Sequence, residues 1–157
     1  MGHLPEQAKV VIIGGGVIGC SVAYHLAKIG WRDVVLLERK QLTSGTTWHA
    51  AGLIGQLRAT LNMTKLAMYS TDLYNTLENE TGISTGYKRN GSISLALTEE
   101  RFEELKRGAS MARNFGLETE ILSNLDIKSA TQCYSLMPRQ GVFSFLVMDK
   151  LILRILP

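Results

Sequence analysis

The sequence predicts an α/β fold that opens on a parallel βαβ unit of the doubly wound kind and continues into mixed helices and strands. Two observations carry this. Residues 8–13 hold the run Val10-Val11-Ile12-Ile13, and Val34-Val35-Leu36-Leu37 repeats the pattern; both read as strands buried on the two faces of a parallel sheet. Between them the period becomes helical, with Ile18, Val22, Leu26 and Ile29 at steps of four, four and three. Gly30 supplies the helix stop, and the crossover is expected to be right-handed.

The later elements follow in order. A polar loop over residues 43–47 precedes Trp48-His49-Ala50-Ala51-Gly52. Leu66, Tyr69, Leu73 and Leu77 mark an amphipathic helix beginning after Asn62 and ended by Gly82. Residues 91–97 alternate as a strand, with Ile93, Leu95 and Leu97 on one face and Ser92 and Ser94 on the other. Thr98 is a good N-cap, with Glu99 and Glu100 in the first turn of a helix whose buried stripe is Phe102, Leu105, Ala109 and Ala112. Gly116 stops it, residues 118–122 form a short strand, and Ser123 with Asp126 resembles a capping box for another helix.

Composition excludes several classes of function. A hydrophobic content of 45% supplies a core, so the chain is not a disordered segment. The net charge of +3 is scattered, without the basic stripe of a nucleic-acid binder. Cys20 and Cys133 are too few and too far apart for a disulfide framework, and His3, His25 and His49 show no ligand spacing, so no metal site is expected. No apolar run is long enough for a bilayer-spanning helix, and neither a secretory signal nor an Arg/Ser-rich presequence is visible. Met1-Gly2 is not read as a myristoylation signal. These features predict a soluble protein.

The motif Gly14-x-Gly16-x-x-Gly19 follows the first strand and opens the first helix, and Glu38 closes the second strand nineteen residues beyond Gly19. In that context the motif holds an adenine dinucleotide. Gly14 permits the tight turn, Gly16 lets the backbone approach the pyrophosphate, and Gly19 lets helix pack closely on strand. The pyrophosphate is expected on the positive end of the helix, near Val17 and Ile18. Glu38 accepts hydrogen bonds from ribose hydroxyls, and its charge repels a 2′-phosphate, so NADP is disfavoured. The motif alone does not choose between NAD and FAD. His25 is read as packed on the sheet, Cys20 as a small core residue and Arg58 as a solvated loop arginine. For Arg58, neutralising a substrate carboxylate or an anionic reduced flavin is the alternative.

The stretch Leu36-Leu37-Glu38-Arg39-Lys40-Gln41-Leu42-Thr43-Ser44-Gly45-Thr46-Thr47-Trp48-His49-Ala50-Ala51-Gly52 resembles the FAD-dependent amine oxidoreductases of the glycine-oxidase and D-amino-acid-oxidase superfamily. Within that group the chain is most similar to the sarcosine dehydrogenase family, with dimethylglycine dehydrogenases close behind. The resemblance covers about residues 7–137, including Ala23-Tyr24-His25-Leu26-Ala27-Lys28, Glu80-Thr81-Gly82 and Asn90-Gly91-Ser92. It implies an incomplete doubly wound, Rossmann-like FAD-binding module at 7–60, the start of a mixed α+β substrate domain at 61–138, and an unmatched apolar tail at 139–157 without an evident partner. It implies FAD contacts at Gly14, Gly16, Val17, Ile18, Gly19, Glu38, Arg39, Gly45, Thr46, Thr47, Trp48, His49, Ala50, Ala51, Gly52 and Leu53, with His49 carrying the flavin covalently.

The reaction that the resemblance implies is oxidation of an N-methyl amine such as sarcosine or dimethylglycine. A hydride passes to flavin N5, and water converts the iminium to formaldehyde and the demethylated amine. Electron-transferring flavoprotein is the implied acceptor and the mitochondrial matrix the implied location. The catalytic and substrate-binding residues are not among those matched, so the 157-residue chain by itself is expected to be inactive. Two other readings stand beside this one. A non-catalytic relative, like the regulatory subunit of pyruvate dehydrogenase phosphatase, shares the architecture, although that branch lacks the flavin-linking histidine. A NAD-binding protein of another class would share the βαβ unit alone.

Overall fold

The two apolar runs satisfy their backbone groups by pairing with each other in the computed structural model of the chain, which describes residues 5–89, 91–122 and 145–150. β1 (Val10–Ile13) and β2 (Val34–Leu37) run parallel, in register from Val10↔Val34 to Ile13↔Leu37, and α1 (Val17–Lys28) joins them. The α/β class and the strand–turn–helix–strand order are as expected. The chain divides into two compact units, Met1–Gly52 and Leu53–Pro157.

Burial in the first unit differs from expectation. Ile12 is buried toward α1, but Val11 and Ile13, one pleat away, are 52% and 87% exposed. The helix stripe is open too, with Ile18 at 78%. Among the described residues of this unit one α-helix lies against the two-stranded sheet, so the second face of β1 has no helix over it.

In the second unit, α2 (Leu61–Thr81) starts two residues earlier than expected because Thr60 caps it, its hydroxyl accepting the Met63 amide hydrogen at 3.3 Å. Its most buried side chains are Thr64 and Thr71 rather than the predicted stripe; Leu66 and Tyr69 are exposed. The reason is polar. The Gln56 carboxamide donates to Thr71 Oγ1 at 2.7 Å, and Thr64 Oγ1 accepts the Arg58 amide hydrogen at 3.0 Å and donates to the Arg58 carbonyl at 3.3 Å. One turn of loop is thereby clamped along the helix by two hydroxyls seven residues apart.

β3 (Gly91–Leu95), α3 (Glu99–Asn114), β4 (Thr119–Leu122) and β5 (Phe145–Lys150) follow among the described residues of the unit. The sheet order is β3-β5-β4, with β5 antiparallel to both neighbours and a register shift between Gly91 and Ser92. β3 and β4 are therefore parallel, split by β5, with α3 as the crossover lying against β4 and β5. Thr98 caps α3 as expected, accepting the Arg101 amide hydrogen at 3.3 Å, and Leu105, Ala109 and Ala112 are buried. Phe102 packs beside Ala96, Leu105 and Ala109. β3 stops at Leu95, short of the expected end at residue 97, so Ala96 takes the buried place and Leu97, expected on the same strand face as Ile93 and Leu95, is exposed.

Phe145–Lys150 corrects the expectation of an apolar stretch without a partner, since its backbone is paired on both edges. Its neighbours lie far away in sequence, and local periodicity carries no trace of such pairing. The capping box at Ser123 and Asp126, and Cys133, lie outside the described residues. No helix among the described residues is long and apolar enough to cross a membrane.

Candidate dinucleotide site

The site is built where β1 ends. Gly14 adopts φ +104°, open to glycine and strained for other residues, and its N–H donates to the Leu37 carbonyl at 2.8 Å. The turn therefore starts level with the end of β2. Gly15 is buried and bracketed: its N–H donates to Glu38 Oε2 at 2.8 Å, and its carbonyl accepts the Thr43 N–H at 2.8 Å and the Cys20 thiol at 3.5 Å. Glu38 Oε1 also accepts the Lys40 amide hydrogen, at 3.0 Å. The Gly15 amide first, then that of Lys40, with the Arg39 charge adding to them, holds the Glu38 carboxyl below the ordinary carboxylate range.

Gly19 faces the turn from α1. A Cβ there would stand 1.9 Å from the Gly14 carbonyl oxygen, so helix and turn meet at a distance that only a bare Cα allows. Gly15 is a site residue that the motif spacing passes over. A Cβ there would meet Leu42 Cδ2 at 2.5 Å and Glu38 Cβ at 3.1 Å. The third consecutive glycine, one more than the motif requires, was the available signal.

The segment after β2 folds back over the turn. Thr43 is held at φ 63°, in the left-handed region, while its amide reaches Gly15. For a β-branched residue such backbone costs on the order of 1–3 kcal/mol and persists only where surrounding contacts hold it. Thr46–His49 forms a single 3-10 turn, closed by the Ala50 amide donating to the Thr47 carbonyl at 3.2 Å. Thr47 Oγ1 accepts the Val17 amide hydrogen at 3.0 Å, which places this turn at the opening of α1. Trp48 and His49 stand side by side, ring centroids 4.3 Å apart, and both are exposed.

Of the predicted cofactor residues, the structure brings together Gly14, Gly16, Val17, Gly19, Glu38 and Thr47. Ile18, Arg39, Gly45, Thr46, Ala50, Ala51 and Gly52 are in or beside the same segments, with Ile18 on exposed helix surface. Leu53 opens the second unit. His25 is half-buried and its Nδ1 donates to the Ser21 carbonyl at 2.6 Å, so a local helix bond occupies it rather than sheet packing alone. The Arg58 guanidinium is exposed and donates to the Leu57 carbonyl at 2.9 Å, a loop arginine. Among the described residues no group of three His, Cys, Asp or Glu is placed to hold a metal ion.

These residues fit a dinucleotide. The bare Cα atoms of Gly14 and Gly16, the helix opening at Val17 and an ionised carboxylate at the end of β2 supply the turn, the phosphate end and the ribose acceptor.

The chain is 52% identical over 120 residues to the mitochondrial pyruvate dehydrogenase phosphatase regulatory subunit of Mus musculus, covering 76% of this chain. It is 46% identical over 127 residues to mitochondrial sarcosine dehydrogenase of Homo sapiens, covering 80% of this chain. The chain spans only 14% of the length of each of these relatives. Its fold is similar to that of L-proline dehydrogenase from P. horikoshii, with TM-score 0.81 and 26% identity over 94% of this chain and 38% of that one. The model of the FAD dependent oxidoreductase family, DAO, matches residues 9–143, and the chain belongs to that family.

Proposed function

We propose that the chain is the dinucleotide-binding part of a flavoenzyme that oxidatively demethylates N-methyl amines such as sarcosine or dimethylglycine. In this reading residues 7–60 belong to the FAD-binding domain and residues 61–138 begin the substrate domain. Bound FAD supplies the two-electron acceptor. Glu38 holds the ribose, the Gly14–Gly19 turn holds the pyrophosphate, and the turn Thr46–His49 presents the His49 imidazole to the flavin for covalent attachment. Electron-transferring flavoprotein is the proposed acceptor and the mitochondrial matrix the proposed location.

The observation that carries the reading is the attachment of the His49 turn to the α1 opening through Thr47, because it ties the flavin-linking position to the phosphate end of the cradle. The likeness to sarcosine dehydrogenase supports the substrate class. A protein of the relatives' full length that contains these residues should oxidise sarcosine or dimethylglycine with an artificial electron acceptor, and after acid precipitation it should stay yellow. A tryptic peptide containing His49 should carry the flavin mass, and His49→Ala should leave FAD extractable. Flavin on another residue, or none after precipitation, rejects the covalent role.

The likeness to the regulatory subunit favours a second reading, a flavin-binding regulatory protein without turnover. Bound FAD with no oxidation of either amine would select it. His49 speaks for the enzyme, since the regulatory branch lacks the flavin-linking histidine.

A further inference from the structure

Between Gly52, where the first unit ends, and Thr60, the cap of α2, the backbone forms no helix or strand. The buried side chain of this segment is a polar one, Gln56, whereas Leu53, Gly55, Arg58 and Ala59 are exposed. A segment of this kind stays on a helix by burying apolar surface or by hydrogen bonds, and here the hydrogen bonds hold it. Thr64 Oγ1 binds both the amide and the carbonyl of Arg58, and Thr71 Oγ1 binds the Gln56 carboxamide.

The Thr71 bond fixes which way that carboxamide points. The Thr71 hydroxyl gives its one proton to the Met68 carbonyl at 2.7 Å, so towards Gln56 it can only accept. Gln56 therefore presents its NH2 group to Thr71, and its Oε1 is left buried with no donor among the described residues. A buried acceptor without a donor raises the energy of the closed arrangement, and water satisfies it once the segment lifts.

We infer that residues 53–59 are a strap latched onto α2 and built to release: two threonine hydroxyls close it, and the stranded Gln56 oxygen works against closure. Little apolar burial and a few hydrogen bonds put this opening at the low end of the free energies within the unit, below that of α2 itself. Once released, the strap becomes free chain able to span roughly 23 Å between Gly52 and the start of α2. The latch thereby sets how much slack joins the first unit to the second. It depends on no cofactor, so it stands apart from the FAD reading above.

Release is read in a protein of the relatives' full length that contains these residues. The two measures are exchange of the Arg58 amide hydrogen and brief digestion with trypsin, which cuts after Arg58 only when the chain there is free. Arg58 should exchange faster than Tyr69 within α2, and dilute urea should hardly change its rate, because release exposes little surface. Gln56→Met keeps a straight side chain and removes the stranded oxygen. It should slow exchange and cleavage at Arg58 on the order of tenfold, the scale of one unsatisfied buried group. Thr64→Val frees the Arg58 amide and should speed both by a similar factor, on the order of tenfold, while Thr64→Ser should return them to the parent rate. Gln56→Met touches no backbone partner of the strap, so it decides the matter even where Thr64→Val folds poorly. Arg58 exchange that follows global unfolding together with Tyr69, or no slowing in Gln56→Met, overturns the inference.

Discussion

The Glu38 carboxylate reaches back across 23 residues to accept the Gly15 amide hydrogen at 2.8 Å, joining the end of β2 to the centre of the glycine turn. One oxygen of the ribose-binding acid is therefore part of the turn's own scaffold, and the second is shared with the Lys40 amide. The arrangement sets the shape of the cradle and the charge inside it together.

Acid should loosen this cradle. The native Glu38 carboxyl is held below its ordinary range, so the unfolded chain takes up the proton first as pH falls. Its contribution is complete above the ordinary carboxylate range and is lost as pH drops through the lowered native value. Exchange of the Gly15 amide should accelerate over that acid window. Glu38→Gln should remove the pH dependence and weaken FAD on the order of tenfold, the scale of a lost charge-assisted hydrogen bond. An unchanged acid response in Glu38→Gln would assign the effect elsewhere.

Gly19→Ala tests the closeness of α1 to the turn. The added methyl would lie 1.9 Å from the Gly14 carbonyl oxygen, and backbone on both sides leaves no flexible group to yield. The expected cost is about 1–3 kcal/mol or more in urea unfolding, together with loss of FAD binding. By contrast, at Gly15 the nearest atom belongs to the exposed Leu42 side chain, so Gly15→Ala should cost less than Gly19→Ala. The reverse order would mean that the turn, rather than the helix contact, is the stiffer part.

Gln56 is 6% exposed and donates to Thr71 Oγ1, while its own Oε1 has no partner among the described residues. Thr71→Val would leave the whole buried carboxamide unpaired, at about 1–3 kcal/mol. Adding Gln56→Leu removes the stranded group, so the double variant should be more stable than Thr71→Val alone. Additive losses in a denaturant double-mutant cycle would show that the two side chains do not act as a pair.

Removal of residues 139–157 should harm the second unit. It takes away Phe145–Lys150, the central strand between β3 and β4, and leaves two unpaired strand edges beside α3. The shortened chain should lose strand signal in circular dichroism and become less soluble. Gain of solubility on deletion would mean that β3, α3 and β4 hold together without β5.

Much of the first unit was readable from local sequence. A β-branched run, a helical period and an acid at the end of a second apolar run each act over a few residues, and together they determined the βαβ order, the Gly14–Gly19 turn and the place of Glu38. The Thr98 cap and the Leu105–Ala109–Ala112 stripe were legible for the same reason. What only the tertiary structure decided depends on groups brought together over long separations. The pattern of apolar residues along α2 pointed away from Thr64 and Thr71, because the buried face there is set by hydrogen bonds to a loop. The Thr47 hydroxyl on Val17, the bracketing of Gly15 and the insertion of Phe145–Lys150 between β3 and β4 have no local signature. A periodicity records which side of an element is apolar; it holds no information about which distant donor, acceptor or strand edge will arrive there.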